Sequence, residues 1–218
     1  MKVVIMQPYF FPYAGYFRLF SATDLFVVYD CVQFPRRGWV HRNRVLDGEK
    51  DSWVTLPLKK CPRETLIKDL EFRRDAESWY EKLLAYYGLT NQDNEEKDEW
   101  SILKPAGSVI DYLVNTLSWT CQKLNIPFNT VRSSDLAINN ALRGQDRILE
   151  ICEKVQAKEY INLAGGRTLY DESMFAERGI RLSVLADYDG SYESIFARLR
   201  KTPIKQIRAE IERNLVWS

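Results

Sequence analysis

The chain has 218 residues, 45% of them hydrophobic, with 31 lysines and arginines set against 30 aspartates and glutamates for a formal net charge of +1. A chain of this size buries most of its apolar surface without disulfides or a structural metal, so a single globular domain over residues 1–218 is expected. The near-neutral balance provides no global field that would recruit nucleic acid or an anionic membrane, and neither is expected as a partner.

Residues 3–6 read as a short apolar strand that runs into Gln7-Pro8-Tyr9-Phe10-Phe11-Pro12-Tyr13-Ala14-Gly15-Tyr16-Phe17, a loop punctuated by Pro and Gly. The loop opens a helix carrying Phe17, Leu19 and Phe20, and residues 25–29 form a second strand. Continuous apolar runs suit strands buried on both faces of a parallel sheet. Two such strands joined by a helix make a βαβ unit, whose ligand crevice lies at the strands' carboxyl ends. Residues 7–16 occupy that end of the first strand and residues 30–34 that of the second.

Residues 34–44 then place Arg36, Arg37, Arg42 and Arg44 around His41, the protein's sole histidine. Cations this dense suit an anionic ligand, although a solvated hairpin face is the alternative. Residues 39–46 and 52–58 flank Asp47-Gly48-Glu49-Lys50, a turn signal, and predict a β-hairpin insertion over about 35–60. Lys59-Lys60-Cys61-Pro62-Arg63 is a second basic stretch that the hairpin would bring beside Arg42 and Arg44.

Residues 67–72 are expected as a short strand, 75–87 as an amphipathic helix closed by Gly88, and 91–99 as a polar, acidic and flexible loop. Residues 107–124 predict a long helix with Val109, Ile110, Leu113, Leu117 and Cys121 along one side and Tyr112 and Trp119 in the core. A strand at 128–132, a loop at 133–140 and a helix at 141–155 on Leu142, Ile148, Leu149 and Cys152 follow. A strand at 160–163 ends in Ala164-Gly165-Gly166-Arg167-Thr168, a helix at 170–177 closes on Gly179, and residues 180–185 form the last sheet strand. Ile204, Ile207, Ile211 and Leu215 mark a terminal amphipathic helix over 203–215. The expected fold is therefore α/β: a mainly parallel sheet with helices on both faces, a Rossmann-like core, a hairpin insertion and a helical middle segment over about 75–125.

His41 is the default general acid or base, because its unperturbed pKa alone lies near neutrality. Asp30, ending a buried strand, is the second catalytic candidate, with a loop-capping role as the alternative. Gly165, Gly166 and Arg167 offer backbone N–H groups and a cation to a phosphate or carboxylate, at the same sheet edge as Gly15. Among the loop aromatics, Tyr9 and Tyr13 are the better candidates to stack on a sugar or base. The layout Tyr13-Ala14-Gly15-Tyr16 resembles the His-x-Gly-His loop of nucleotidyltransferases. Tyrosine stays neutral near pH 7, so that likeness implies a nucleotide-accepting scaffold without the phosphoryl-transfer chemistry.

Cys31, Cys61, Cys121 and Cys152 stand far apart with no CxxC pair, which fits a reduced, cytoplasmic protein. With one histidine, no zinc set forms, and no metal is expected. The N-terminus lacks the regions of a signal peptide, and no apolar run approaches the roughly 20 residues that span a bilayer.

Met6-Gln7-Pro8, Pro12-Tyr13-Ala14-Gly15-Tyr16-Phe17, Val32-Gln33-Phe34, Trp39 and Arg42-Asn43-Arg44 resemble the motifs of the WbqC-like protein family. The likeness continues through Ser52-Trp53-Val54-Thr55-Leu56-Pro57, Gly144-Gln145-Asp146-Arg147, Tyr160-Ile161-Asn162, Gly165-Gly166 and Leu169-Tyr170. Two departures stand out: Met6 where relatives carry His, and Asp30-Cys31 where they carry an Asp pair. The resemblance implies a bacterial enzyme of surface-polysaccharide synthesis acting on an anionic, nucleotide-linked sugar, by acyl or aminoacyl transfer to an amino sugar. A non-catalytic nucleotide-sugar or partner-binding module and a nucleotidyltransferase-like enzyme are the competing classes; cofactor and oligomeric state are not legible. The candidate substrate-binding set is Gln7, Tyr9, Tyr13, Gly15, Tyr16, Gln33, Arg42, Asn43, Arg44, Lys59, Gly165, Gly166, Arg167 and Tyr170.

Overall fold

A computed structural model describes residues 1–47, 50–86 and 100–218. Its main sheet is built from β1 (Lys2–Met6), β2 (Leu25–Val28), β5 (Thr130–Arg132), β6 (Glu159–Leu163) and β7 (Arg181–Leu185), while β3 (Arg42–Asp47) and β4 (Lys50–Thr55) form a separate antiparallel hairpin. The strand order is β5-β2-β1-β6-β7 and every pairing within it is parallel.

Alternation along the strands explains the layering. Val3, Ile5 and Val27 join one apolar cluster, and Val4, Phe26 and Val28 join the other. Successive side chains of a strand point to opposite faces, so an unbroken apolar strand needs a cover on each. One face is covered by α1 (Arg18–Ala22), α2 (Ala76–Tyr86), α3 (Val109–Lys123), α6 (Ile195–Lys201) and α7 (Ile204–Arg213). The other is covered by α4 (Gly144–Lys154) and α5 (Glu172–Ala176), through Ile148, Leu149, Cys152 and Phe175. Among the described residues no helix is long and apolar enough to cross a membrane.

The chain proceeds outward from β1 to β2 and β5, then crosses to build β6 and β7 on the other flank of β1. Such a reversal leaves a crevice at the carboxyl ends of the strands, where the loops after β1, β2, β5 and β6 gather. Ser108 caps α3 by accepting from the Asp111 amide at 3.1 Å, and its hydroxyl in turn donates to the Asp111 carboxylate. Gly179, with φ +66°, ends the turn after α5 in the left-handed region that Gly enters at little cost.

The predicted elements appear with ends moved by a few residues, and two differences have physical causes. Residues 67–72 are not a strand: Ile67–Asp69 is a 3-10 turn, and a lone bridge joins Phe72 to Leu58. Ile67 and Leu70 are the buried side chains there, a spacing of three that eclipses in a 3-10 turn and would split across the faces of a strand. Helix α6 lies in a stretch without a predicted element, because arginines interrupt its apolar pattern. It is buried nonetheless, since Arg198 pairs with Glu210 of α7 at 2.8 Å. The predicted turn residues Gly48 and Glu49, the helix end at Gly88 and the acidic loop at 91–99 lie outside the described residues.

Candidate functional site

The cleft beside His41 is assembled from three stretches. Beyond β4 the chain continues through Leu56-Pro57-Leu58, and Leu56 N–H donates to the His41 carbonyl at 2.7 Å. Residues 71–73 return alongside, with Lys59 N–H donating to Glu71 O at 2.8 Å and Arg73 N–H to Pro57 O at 2.7 Å. Pro57 has no N–H to offer, so regular ladder pairing stops there and the surface opens. The result is a cavity of about 740 Å³ with Phe34, Leu56, Pro57 and Leu58 on its apolar side and Arg36, Lys59, Lys60 and Arg73 among its lining cations.

His41 stands edge-on to Phe34, ring centroids 4.9 Å apart, and its Nδ1 is buried without a hydrogen-bond partner. Burial, and after it the neighbouring Arg42 cation, pushes its pKa down to about 4. The imidazole is therefore neutral at pH 7. Around it, Arg36 donates to Cys61 O at 2.7 Å, Lys59 pairs with Glu71 at 2.8 Å and Arg73 pairs with Asp75 at 3.1 Å. Exposed ion pairs of this kind contribute about 0–1 kcal/mol, so an incoming anion can replace their carboxylates cheaply. Lys60 has no partner among the described residues.

The predicted basic ligands divide differently from the expectation that Arg42 and Arg44 would face Lys59 and Lys60. Asn43 and Val45 of β3 point inward, which sends Arg42 and Arg44 to the outer face of the hairpin. There the two guanidinium groups lie 4.3 and 5.3 Å from the Trp53 ring centre, and Arg42 donates to Arg37 O at 2.8 Å. The cations that do accompany His41 are Arg36, Lys59, Lys60 and Arg73. Arg73 had no signal in the sequence, because only the pairing of 57–59 with 71–73 brings it near.

Several other candidates are structural. Asn43 is 4% exposed; its Nδ2 donates to Phe10 O at 3.0 Å and Phe11 O at 2.7 Å, holding the first loop against the hairpin. Ser194, also missed in the sequence, donates to the same Phe11 carbonyl at 2.7 Å, and Phe11 itself takes φ 41°. Tyr16 is 1% exposed, donates to Gln7 O at 2.7 Å and supports Tyr9 at a ring distance of 5.3 Å. Tyr13 packs against Tyr188 and Tyr192 at 5.2 and 4.8 Å, and Gly15 leaves the room that the Tyr13 and Tyr188 rings fill. Gln33 donates to Arg63 O at 2.8 Å on the surface.

Asp30 is 0% exposed and is enclosed at the end of β2 rather than open to a substrate. Its carboxylate accepts from Ser133 Oγ at 2.8 Å, Ser134 N–H at 2.9 Å and Ser134 Oγ at 2.7 Å, so it ties the loop after β5 to that after β2. The glycine pair follows β6 and so shares the carboxyl edge with Gly15, but Gly166 makes room for the Asn162 side chain. Arg167 and Tyr170 instead line a cavity of about 760 Å³ with Lys2, Glu159 and Arg181. Among the described residues, no three His, Cys, Asp or Glu side chains gather in a group able to hold a metal ion.

Comparison with known proteins gives two matches. The profile of the WbqC-like protein family matches residues 7–198. The Mycobacterium tuberculosis protein named "Uncharacterized protein Rv1507c" is 28% identical over 205 residues, covering 87% of this chain and 83% of its own length. No solved structure matches.

Proposed function

The chain belongs to the WbqC-like protein family, and on that premise we propose that it is a cytoplasmic transferase of surface-polysaccharide synthesis that modifies a nucleotide-linked amino sugar. The transferred group in this reading is an acyl or aminoacyl unit. What supports it is one juxtaposition: a neutral imidazole with an unpartnered Nδ1 in a cation-lined cleft. Arg36, Lys60 and Arg73 would hold the anionic part of the substrate by charge-assisted hydrogen bonds, and Phe34 and Leu56 would exclude water from the sugar. His41 would take the proton that the amino group loses as it attacks the acyl carbon, and the donor's leaving group would depart with the electron pair of the broken bond. The buried, hydrogen-bonded Tyr16 offers no group for phosphoryl transfer, which sets the nucleotidyltransferase-like alternative behind this one.

Turnover of nucleotide amino sugars with acyl and aminoacyl donors, followed by mass spectrometry of the product, tests the reading. His41→Gln should lower the chemical rate by about 10²- to 10⁴-fold with substrate affinity nearly unchanged. Equal turnover by that variant would remove His41 from the chemistry. Binding of the sugar nucleotide without product formation from any donor would leave a binding module in place of the enzyme.

A further inference from the structure

A second basin lies at the carboxyl edge of β2 and β5, apart from the His41 cleft and independent of the transferase reading. Its volume is about 360 Å³, and Cys31, Lys68, Ser134, Asn140, Arg143 and Arg147 are among its lining residues. The three cations come from two stretches far apart in the chain. Lys68 is placed when its N–H donates to Asp30 O at 3.0 Å, whereas Arg143 and Arg147 flank the first turn of α4.

None of the three has a carboxylate partner among the described residues. Asp30, whose carbonyl accepts from the Lys68 N–H, already has its carboxylate engaged by two serine hydroxyls and an amide. Arg147 is 6% exposed, and its Nη2 donates to Cys31 O at 3.0 Å and to Cys31 Sγ at 3.2 Å. Its Nε is buried with no acceptor. A guanidinium taken out of water with a donor unspent is costly unless an anion completes it. The N–H groups of the first turn of α4 add the positive end of an 11-residue helix to the same rim. Gly144 opens that turn at φ +52°, and Ala137 on the rim is likewise held at φ 50°, so the backbone here is bent around the basin.

We infer that this basin binds a phosphoryl group, held by Arg147, Arg143 and Lys68 with the Ser134 hydroxyl as a further donor. Its volume accommodates a diphosphate, and it sits at the sheet edge where doubly wound folds receive phosphorylated ligands.

Calorimetric titration with inorganic pyrophosphate is the direct test, with a uridine nucleoside diphosphate as the second arm. Saturable pyrophosphate binding is expected in the wild type and in His41→Gln. The double variant Lys68→Gln, Arg143→Gln, altered only at exposed positions, should bind at least tenfold more weakly while keeping its unfolding midpoint. Arg147→Gln should lose binding as well, read only if its circular dichroism is native. Tighter binding of the nucleoside diphosphate would assign the phosphoryl group to a nucleotide, and equal binding would assign it to free diphosphate. No saturable binding by the wild type, unchanged affinity in the double variant, or loss of binding in Arg36→Gln, Lys60→Gln instead would overturn the assignment.

Discussion

His41 and Arg18 are two basic side chains that the fold takes in differently, one with an unpartnered ring nitrogen and the other with three carbonyl acceptors. The imidazole has no partner for its buried Nδ1 and stays neutral, with a pKa of about 4 against its usual 6.5. Its depressed pKa makes the unfolded chain the better proton acceptor. The stability this gives is complete above pH 6.5 and is lost as the pH falls toward 4. Because the sequence holds one histidine, its single Hε1 resonance should titrate with a midpoint near pH 4. An anion bound at Arg36, Lys60 and Arg73 should move that midpoint upward, since negative charge beside the ring favours imidazolium. A midpoint that ignores bound substrate would separate His41 from the anion site. Arg18, 2% exposed, gives its N–H groups to Gly15 O at 3.1 Å, Ala186 O at 2.9 Å and Asn214 O at 3.0 Å, while lying 5.1 Å from the Tyr188 ring centre. Arg18→Ala strands three carbonyls and opens a void, and should cost about 3–5 kcal/mol in urea unfolding. Arg18→Lys should recover little, since one ammonium cannot reach all three.

The hairpin owes its position to its inward face. Asn43 connects β3 to the loop after β1, and the Trp39 and Trp53 rings, 5.6 Å apart, meet on the exposed side. Asn43→Ala leaves the Phe10 and Phe11 carbonyls without their donor and should cost about 2–4 kcal/mol. Faster amide exchange should then be confined to the hairpin and the first loop. Asn43→Asp should be worse than Ala, since it turns a carboxylate toward two carbonyl oxygens. Uniform exchange across the sheet in either variant would mean that the hairpin is not held by this staple. On the helix that Ser194 joins to the first loop, Arg198 forms a largely buried network with Tyr188 and Glu210 that fixes α6 against α7. Burial works against the Glu210 carboxylate, yet its bonds from Arg198 and Tyr188 outweigh that cost and hold its pKa below the usual carboxylate range.

Over the whole molecule, the two apolar clusters share the sheet between them. Cys121 on α3 belongs to one and Cys152 on α4 to the other, and both are 0% exposed. Burial raises both thiols, Cys152 to about 12, so neither reacts in the native state. Cys61, half-buried at the His41 cleft, should be alkylated first. Cys121 and Cys152 should then label at one common rate that tracks global unfolding, because removing either cover exposes the same strands. Labelling of one long before the other would mean that the two faces open separately.

The α/β class, the parallel strands and the helices that carry a clean stripe were determined by the sequence alone. Their signals are local: unbroken apolar runs at residues 3–6 and 25–28, a mostly apolar run at 160–163, and helical spacing at 109–121 and 204–211. The hairpin was equally legible, because a turn signal sits between two strand-like runs. The allotment of cations was not. Alternation along β3 turned Arg42 and Arg44 away from the cleft, and the bridge of Leu58 to Phe72 brought Arg73 into it. Nor could the sequence foresee Arg18 inside the protein, Asp30 enclosed by two serines, or Arg147 closing a basin with Lys68. Each depends on contacts between segments dozens of residues apart, and electrostatics is set by distance and burial, which local pattern does not carry.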